Sequence, residues 1–471
     1  MNGYSVRELA RILAGTPLGP APAEGPRGGP SASIDTRTLR AGDLFFALPG
    51  EKTDGHRFVG EAFRKGASLA VVRKDRAGDL PADLPRERIL AVADAEEALV
   101  RLAAAHRARF SPRLSAVTGS NGKTTTKELL AAILSADAPT LASPANFNTI
   151  LGLSLTLLRL EVAHRWAVVE LGISAPGEMD ALGALARPDT ALLTNAHAAH
   201  LEGLGSVKNV AREKCRLLSY LEGEAAVYAN GDDPALLDAV ARTGRTARTF
   251  GWSESCAVRP ERVEPWNEDG VRLAVGGEAF AAPVYGMHNA YNLLAALAVA
   301  RGARLGAETI RAGLARFQPP PGRFRPERAG GVLLIDDTYN ANLASARGAI
   351  DFLQHVKIEG KRVLVFGDMR ELGDREEEDH REVGRAAARA GLDRLVLVGE
   401  CVRWTAEEAL RAGLPADRVE RIEERQGLGA RLASDLEAGD CLVIKGSRAM
   451  RMEEILGDLR SSLAAAAEGN R

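Results

Sequence analysis

The densest chemistry in the chain lies in Val117-Thr118-Gly119-Ser120-Asn121-Gly122-Lys123-Thr124-Thr125-Thr126. The apolar run Leu114–Val117 before it predicts a short buried strand. Lys127–Leu134 after it has helical spacing and good helix formers. A strand, a glycine turn and a helix N-terminus together make an anion site, because free backbone N–H groups converge there and the helix dipole adds partial positive charge. Gly119 and Gly122 would let the loop wrap phosphate oxygens, Lys123 would reach the β- and γ-phosphates, and Thr124 would offer its hydroxyl to Mg²⁺. Val117 stands where the full phosphate-loop pattern has its first glycine. The bland alternative is a glycine turn capping a helix; the Gly-Lys-Thr-Thr run between strand and helix favours a nucleoside triphosphate.

Other polar residues fall at the ends of apolar runs. Trp166–Gly172 puts Glu170 at the C-terminal end of a predicted buried strand, where a carboxylate suits Mg²⁺ or is simply a surface residue. Thr194–Glu202 closes the next strand and carries His197 and His200. Without a third convergent ligand these are better read as one histidine near a second Mg²⁺, or a solvent-facing pair, than as zinc ligands. Lys214 lies in the charged stretch Val210–Arg216, whose bland reading is a solvated helix face. Asn289 and Asn292 share a helix face, where they would cap the helix or read an adenine edge. Arg323 could reach a γ-phosphate across a cleft, and Asp337 could accept from a ribose hydroxyl. Gly367–Gly373 and Lys445–Met452 are further polar strand ends.

These residues need a scaffold of several domains, since 471 residues exceed a single core. Lys+Arg of 61 against Asp+Glu of 63 gives a net charge of −2 and argues against a nucleic-acid partner. Four scattered cysteines with no C-x-x-C pair read as free thiols in a reducing compartment. With no 18-residue apolar run and no signal-like start, the chain is expected in the cytoplasm, without membrane insertion.

The expected fold is α/β in three domains. In residues 1–111, a helix over Ser5–Leu13 precedes a Gly/Pro-rich loop at Gly15–Pro30. Strands at Asp43–Leu48 and Ser68–Val72 flank a helix at Phe58–Lys65, and Ala95–Phe110 is a strong helix. In residues 112–319, strands at Leu114–Val117, Trp166–Leu171, Thr190–Thr194 and Ala225–Ala229 alternate with helices, which predicts a mostly parallel sheet with a nucleotide at the strand C-termini. Gly251–Val284 reads as a small antiparallel excursion and Asn289–Arg304 as a helix. Pro319-Pro320-Pro321 is a stiff linker. Residues 320–471 then alternate again, with strands at Val332–Asp336, Arg362–Gly367, Arg394–Gly399, Arg418–Ile422 and Cys441–Lys445, as in a Rossmann-like domain without a G-x-G-x-x-G. Ala464–Arg471 reads as a frayed helix end.

On Thr118–Thr125, Glu170, His200, Lys214, His288–Asn292, Arg323 and Asp337, the chain resembles the ATP-dependent Mur ligase family of peptidoglycan synthesis, nearly end to end. Within the family, Asn146–Thr149, Glu170–Gly172, Pro176–Glu178, His200–Gly203, Asp336–Asn342, Gly367–Gly373 and Lys445–Met452 resemble the branch that joins D-alanyl-D-alanine to UDP-N-acetylmuramoyl-tripeptide. Asp35-Thr36-Arg37, Gly42–Leu48 and Asp54–Phe58 are shared with the branch that adds the third stem-peptide residue, but an Asp-Asn-Pro-Arg run is absent. Leu343 stands where the family usually has proline, and Thr36 where serine is commoner.

The resemblance implies a UDP-binding N-terminal domain, a central ATPase domain and a C-terminal domain that closes over ATP and takes the dipeptide. Lys123, Glu170, His200, Lys214 and Arg323 would be catalytic. Thr118, Gly119, Ser120, Asn121, Gly122, Lys123, Thr124, Thr125, Asn289, Asn292, Arg323 and Asp337 would bind ATP. Asp35, Thr36, Arg37, Asn146, Asn148, Thr149, Tyr339, Asn340 and Asn342 would bind the other substrates. Two Mg²⁺ ions would sit near Thr124 and Glu170 and near His200 and Lys214, with Lys214 carbamylated. An acyl phosphate is the expected intermediate and a monomer the expected state. The alternatives are the third-residue ligase and a nucleotide-gated binding protein without turnover.

Overall fold

The computed structural model describes residues 3–20, 31–50, 53–198, 201–267, 270–423 and 425–469. His200 therefore lies outside the described residues, as does most of the Gly/Pro-rich loop at 15–30.

The N-terminal unit begins with helix Val6–Leu13, capped by a reciprocal Ser5–Glu8 pair. Its five-stranded sheet runs Thr16–Pro17, Ile89–Val92, Leu69–Arg73, Leu44–Phe46, Ala32–Ser33, parallel except for the Thr16–Pro17 edge. Helix Ala95–Arg107 closes it, with Asp94 capping the first turn. Strands Ile89–Val92 and Ala32–Ser33 were not expected. The first is a four-residue apolar run just before the helix; the second has two residues and gains its identity only by pairing.

The central sheet is all parallel, in the order Arg248–Phe250, Ala226–Asn230, Thr190–Leu193, Arg113–Thr118, Trp166–Glu170, Thr140–Ala142. The phosphate-loop strand Arg113–Thr118 is interior, between the strands that end at Leu193 and Glu170. The C-termini of all three therefore point at one place. The two edge strands of three residues each carry too little apolar pattern to be predicted. Gly251–Val284 contains the expected excursion, a three-stranded antiparallel sheet of Arg262–Asn267, Gly270–Val275 and Glu278–Ala282. Helix Met287–Gly302 packs on the phosphate-loop helix Lys123–Asp137 through an alanine- and leucine-rich face.

The C-terminal sheet runs Arg325–Ala329, Val332–Asp337, Cys441–Lys445, Arg362–Gly367, Arg394–Val398, Val419–Ile422 and is parallel but for its first, unpredicted edge strand. The final helix, Glu453–Gly469, continues through most of the alanine-rich tail. All four cysteines are free and buried. Among the described residues no helix is long and apolar enough to cross a membrane.

Candidate active site

The loop between strand Arg113–Thr118 and helix Lys123–Asp137 is shaped by the neighbouring strand end. Ser120 N–H donates to the Asn195 carbonyl (3.0 Å), and Asn121 N–H to Asn195 Oδ1 (2.8 Å). The Asn121 carbonyl accepts from Thr194 Oγ1 (2.7 Å) and Asn195 Nδ2 (3.1 Å). The Ser120 hydroxyl accepts from His197 N–H (2.9 Å) and donates to the His197 carbonyl (3.0 Å). From sequence His197 is expected near a metal or in solvent, and Asn195 carries no expected role. Both support the loop, and their only sequence signal is their place at the end of the strand beside Thr118.

Gly122 has φ +78°, and a Cβ there would fall 2.1 Å from Asn292 Oδ1. Only glycine fits both conditions. Asn292 in turn donates to Asn289 Oδ1 (2.8 Å) and accepts from Thr126 Oγ1 (3.2 Å), so the asparagine pair braces the phosphate-loop helix. Asn289 is not a simple helix cap; Gly286 holds the cap position, and the Asn289 amide donates to the Tyr285 carbonyl.

A cavity of about 560 Å³ opens over this loop. Its wall takes Ser120 to Thr125, Asn148, Glu170, Asn289 and Asn292 from the central domain, and Arg323, Asp337, Tyr339, Asn340, Asn342 and Lys445 from the C-terminal domain. The Lys123 ammonium donates to the Gly119 carbonyl (2.8 Å); burial lowers its pKa, and nearby Glu170 opposes that shift. Glu170 is no surface carboxylate: it is fully buried. Its Oε1 accepts from Asn148 Nδ2 (2.8 Å), and its Oε2 has no hydrogen-bond partner among the described residues. Arg323 lies 3.6 Å from the Tyr339 ring centroid, with its pKa lowered by burial. Asp337 accepts from Lys445 Nζ (2.6 Å), and burial raises its pKa against that pairing. A direct hydrogen bond spans the cleft, from Asn342 Nδ2 to Asn121 Oδ1 (2.7 Å).

Lys214 corrects the reading of Val210–Arg216 as a solvated face. It is 2% exposed, and desolvation, then repulsion from Lys123, holds its pKa well below the ordinary 10.5. It lies behind the cavity and does not line it. Thr118 is buried beneath the loop with its hydroxyl unpartnered among the described residues. Asn146 and Thr149 are exposed outside the cavity wall, and the Thr149 hydroxyl caps helix Ile150–Leu157. Asp35, Thr36 and Arg37 are also apart from it: Arg37 pairs with Asp35 (2.6 Å), and Lys65 Nζ donates to the Thr36 carbonyl (2.9 Å).

A phosphate loop at the C-terminal edge of a parallel sheet, facing basic and acidic groups of a second α/β domain, defines a nucleotide-dependent transfer enzyme. The chain matches family models described as Mur ligase family, catalytic domain, over residues 31–107, Mur ligase middle domain over 117–300, and Mur ligase, glutamate ligase domain, over 322–448. It belongs to the Mur ligase family. It is 33% identical to the UDP-N-acetylmuramoyl-tripeptide–D-alanyl-D-alanine ligase of Bacillus subtilis, over 97% of this chain and 98% of that one. Identity to the Escherichia coli enzyme of the same name is 36%, covering 92% and 94%. Among solved structures, it superposes on MurF from Acinetobacter baumannii with a TM-score of 0.83 at 30% identity, covering 97% and 99%. The MurF ligase of Thermotoga maritima in complex with ADP gives 0.78 at 28% identity, covering 93% and 98%.

Proposed function

We propose that this protein is an ATP-dependent amide ligase that joins D-alanyl-D-alanine to UDP-N-acetylmuramoyl-tripeptide in the cytoplasm. The observation that carries this reading is the cavity that collects Lys123 and Glu170 from one domain and Arg323 and Asp337 from another. Residues 1–111 would hold the UDP-sugar end, 112–319 the ATP phosphates, and 320–471 the nucleoside side and the incoming dipeptide.

A carboxylate is a poor electrophile. The tripeptide's terminal carboxylate therefore first attacks the γ-phosphorus of ATP, breaking its bond to the bridging oxygen and releasing ADP. The acyl phosphate formed is then attacked at carbon by the free amine of the dipeptide; the amine's proton departs and phosphate leaves. Negative charge builds around the transferred phosphoryl group in both steps, and Lys123 and Arg323 are placed to offset it. Stacking on Tyr339 holds the Arg323 guanidinium flat against the cavity wall. Asn289 and Asn292 brace the phosphate loop, and Asp337, held by Lys445, would accept from a ribose hydroxyl.

The residues fit a divalent cation. Glu170 keeps one buried carboxylate oxygen without a partner, and the Thr118 hydroxyl is likewise free among the described residues. Thr124 and Glu170 would hold one Mg²⁺, and His200 with Lys214 a second. A cation held there would supply positive charge against the developing phosphoryl charge. A buried lysine with a depressed pKa offers the neutral amine that CO₂ requires, so Lys214 is suited to carbamylation. Full turnover in Lys214→Arg would remove that assignment.

The test is phosphate release from ATP by the purified protein with UDP-N-acetylmuramoyl-tripeptide, with and without D-alanyl-D-alanine. Release that depends on the dipeptide, with a product heavier by the dipeptide less water, is expected. Activity only with the UDP-dipeptide and a single amino acid would move the protein one step back. No turnover with any acceptor would leave a nucleotide-binding protein.

A further inference from the structure

Lys127 lies one helical turn beyond Lys123 and is completely buried, yet it does not reach the cavity. Its ammonium donates to the carbonyls of Ser143 (2.6 Å) and Ala145 (3.3 Å) and to Glu128 Oε1 (2.5 Å). Ser143 and Ala145 open the segment that follows edge strand Thr140–Ala142, and Ala145 sits at φ +44°, a conformation disfavoured for any residue with a Cβ. A buried cation is costly, and a hydrophobic side chain of similar length would fill the same space. What only the ammonium can do is turn two loop carbonyls inward at once.

That loop ends on Glu170. The Ser143 hydroxyl accepts from Glu170 N–H (3.2 Å), and Asn148 Nδ2 donates to Glu170 Oε1 (2.8 Å). The Asn148 carbonyl accepts from Gly172 N–H (2.9 Å), and a Cβ on Gly172 would meet the Asn148 amide carbon at 2.8 Å. The loop thus grips the carboxylate from both sides of the strand end. One oxygen accepts from Asn148; the other is buried and unpartnered among the described residues.

We propose that Lys127 is a positioning residue for the metal-binding carboxylate: by clamping the Ser143–Ala145 carbonyls to the phosphate-loop helix, it fixes through Asn148 which oxygen of Glu170 is presented to the divalent cation. This rests on Glu170 holding a cation, as proposed above. Outer residues that orient a metal ligand typically carry roughly 10- to 100-fold in metal affinity.

The experiment titrates Mn²⁺ into the full-length protein with a non-hydrolysable ATP analogue and reads free Mn²⁺ by its electron paramagnetic resonance signal. Wild type, Lys127→Gln, Asn148→Ala and the double variant are compared, together with analogue binding in EDTA and thermal unfolding. Each single variant is expected to weaken Mn²⁺ binding by about tenfold, with metal-free analogue binding unchanged in Lys127→Gln, whose side chain lies outside the cavity wall. The double variant should lose no more than the worse single, since both act through one carboxylate. Lys127→Met keeps the stem without the donors and serves, with the same expectation, if the amide variant does not fold. Wild-type Mn²⁺ affinity in a folded Lys127 variant, or losses that multiply in the double variant, would overturn the proposal and leave Lys127 a packing residue. Absence of nucleotide-dependent Mn²⁺ binding in the wild type would instead remove the cation site itself, and this inference with it.

Discussion

The central domain meets its two neighbours through seams of opposite character. On the N-terminal side one apolar core runs without a break from Tyr4 and Leu9 through Leu99 and Leu102 into Leu153, Leu157 and Met179. Its polar groups are satisfied: His106 accepts from the Tyr4 hydroxyl (3.0 Å) and donates from Nε2 to the Leu160 carbonyl (3.1 Å), and Arg107 donates to the carbonyls of Ala186 and Arg187. On the C-terminal side, the seam is a polar cavity bridged by Asn342–Asn121 and flanked by a small aromatic group. His288 stands 4.8 Å from Phe324, which stands 5.1 Å from Phe352. An apolar seam makes two sheets unfold as one body; a polar, solvent-filled seam lets one domain move against another. The groups proposed for catalysis line the cavity from both sides of the second seam. A hinge there would couple substrate binding to assembly of the site.

The largest expected effect removes one contribution to that divided site. Lys123→Met and Arg323→Met, one from each side, should each lower kcat by roughly 10²- to 10³-fold, the usual loss for one charge-stabilising donor. Steady-state phosphate release measures it, and an Arg323 variant within threefold of wild type would show that the C-terminal domain lends no charge. Leu102→Ala attacks the apolar seam instead. At a fully buried position it should cost about 2–5 kcal/mol. In calorimetry this should lower one transition shared by the N-terminal and central domains and leave the C-terminal one in place. Separate melting of the first two domains would break the contrast.

Acid should act on both seams, since burial also lowers the pKa of His106 on the N-terminal side. Burial, then the Lys445 charge, pushes the His288 pKa down from 6.5 to about 4, and its Nδ1 has no partner among the described residues. The unfolded chain therefore binds the extra proton first. Stability tied to neutral His288 is complete above pH 6.5 and is lost as pH falls toward 4, by up to ~3 kcal/mol. Unfolding of the central domain, which carries His288, followed from pH 7 to 4 in wild type and His288→Gln, should show a shallower slope in the variant, with buried His106 and His197 keeping the rest. The smallest effect is expected from Asn342→Ala. The bond from Asn342 Nδ2 to Asn121 is worth about 1 kcal/mol, and Asn342 Oδ1 also caps helix Leu343–His355 by accepting from Ser345 N–H, so the ligand-free protein should open slightly in small-angle scattering while the ligand-saturated form stays compact. Identical profiles would mean that Asn342 does not bridge the seam in solution.

Sequence by itself determined the elements with strong local patterns. The phosphate loop announces itself through glycine and lysine spacing, and the interior strands through continuous apolar runs. Glu170, Asn289, Asn292, Arg323 and Asp337 were legible because each sits next to such a run. The short edge strands were not, because two to five residues become a strand only when a neighbour supplies the hydrogen bonds. Nor could sequence tell a solvated lysine from a buried one. Lys214 and Lys127 lie among charged or polar neighbours, and only packing strips their water. The support that Asn195 and His197 give the loop, and the grip of Asn148 on Glu170, depend on which strand ends lie side by side. Such adjacency joins residues far apart in the chain, so it exists only once the sheet has formed.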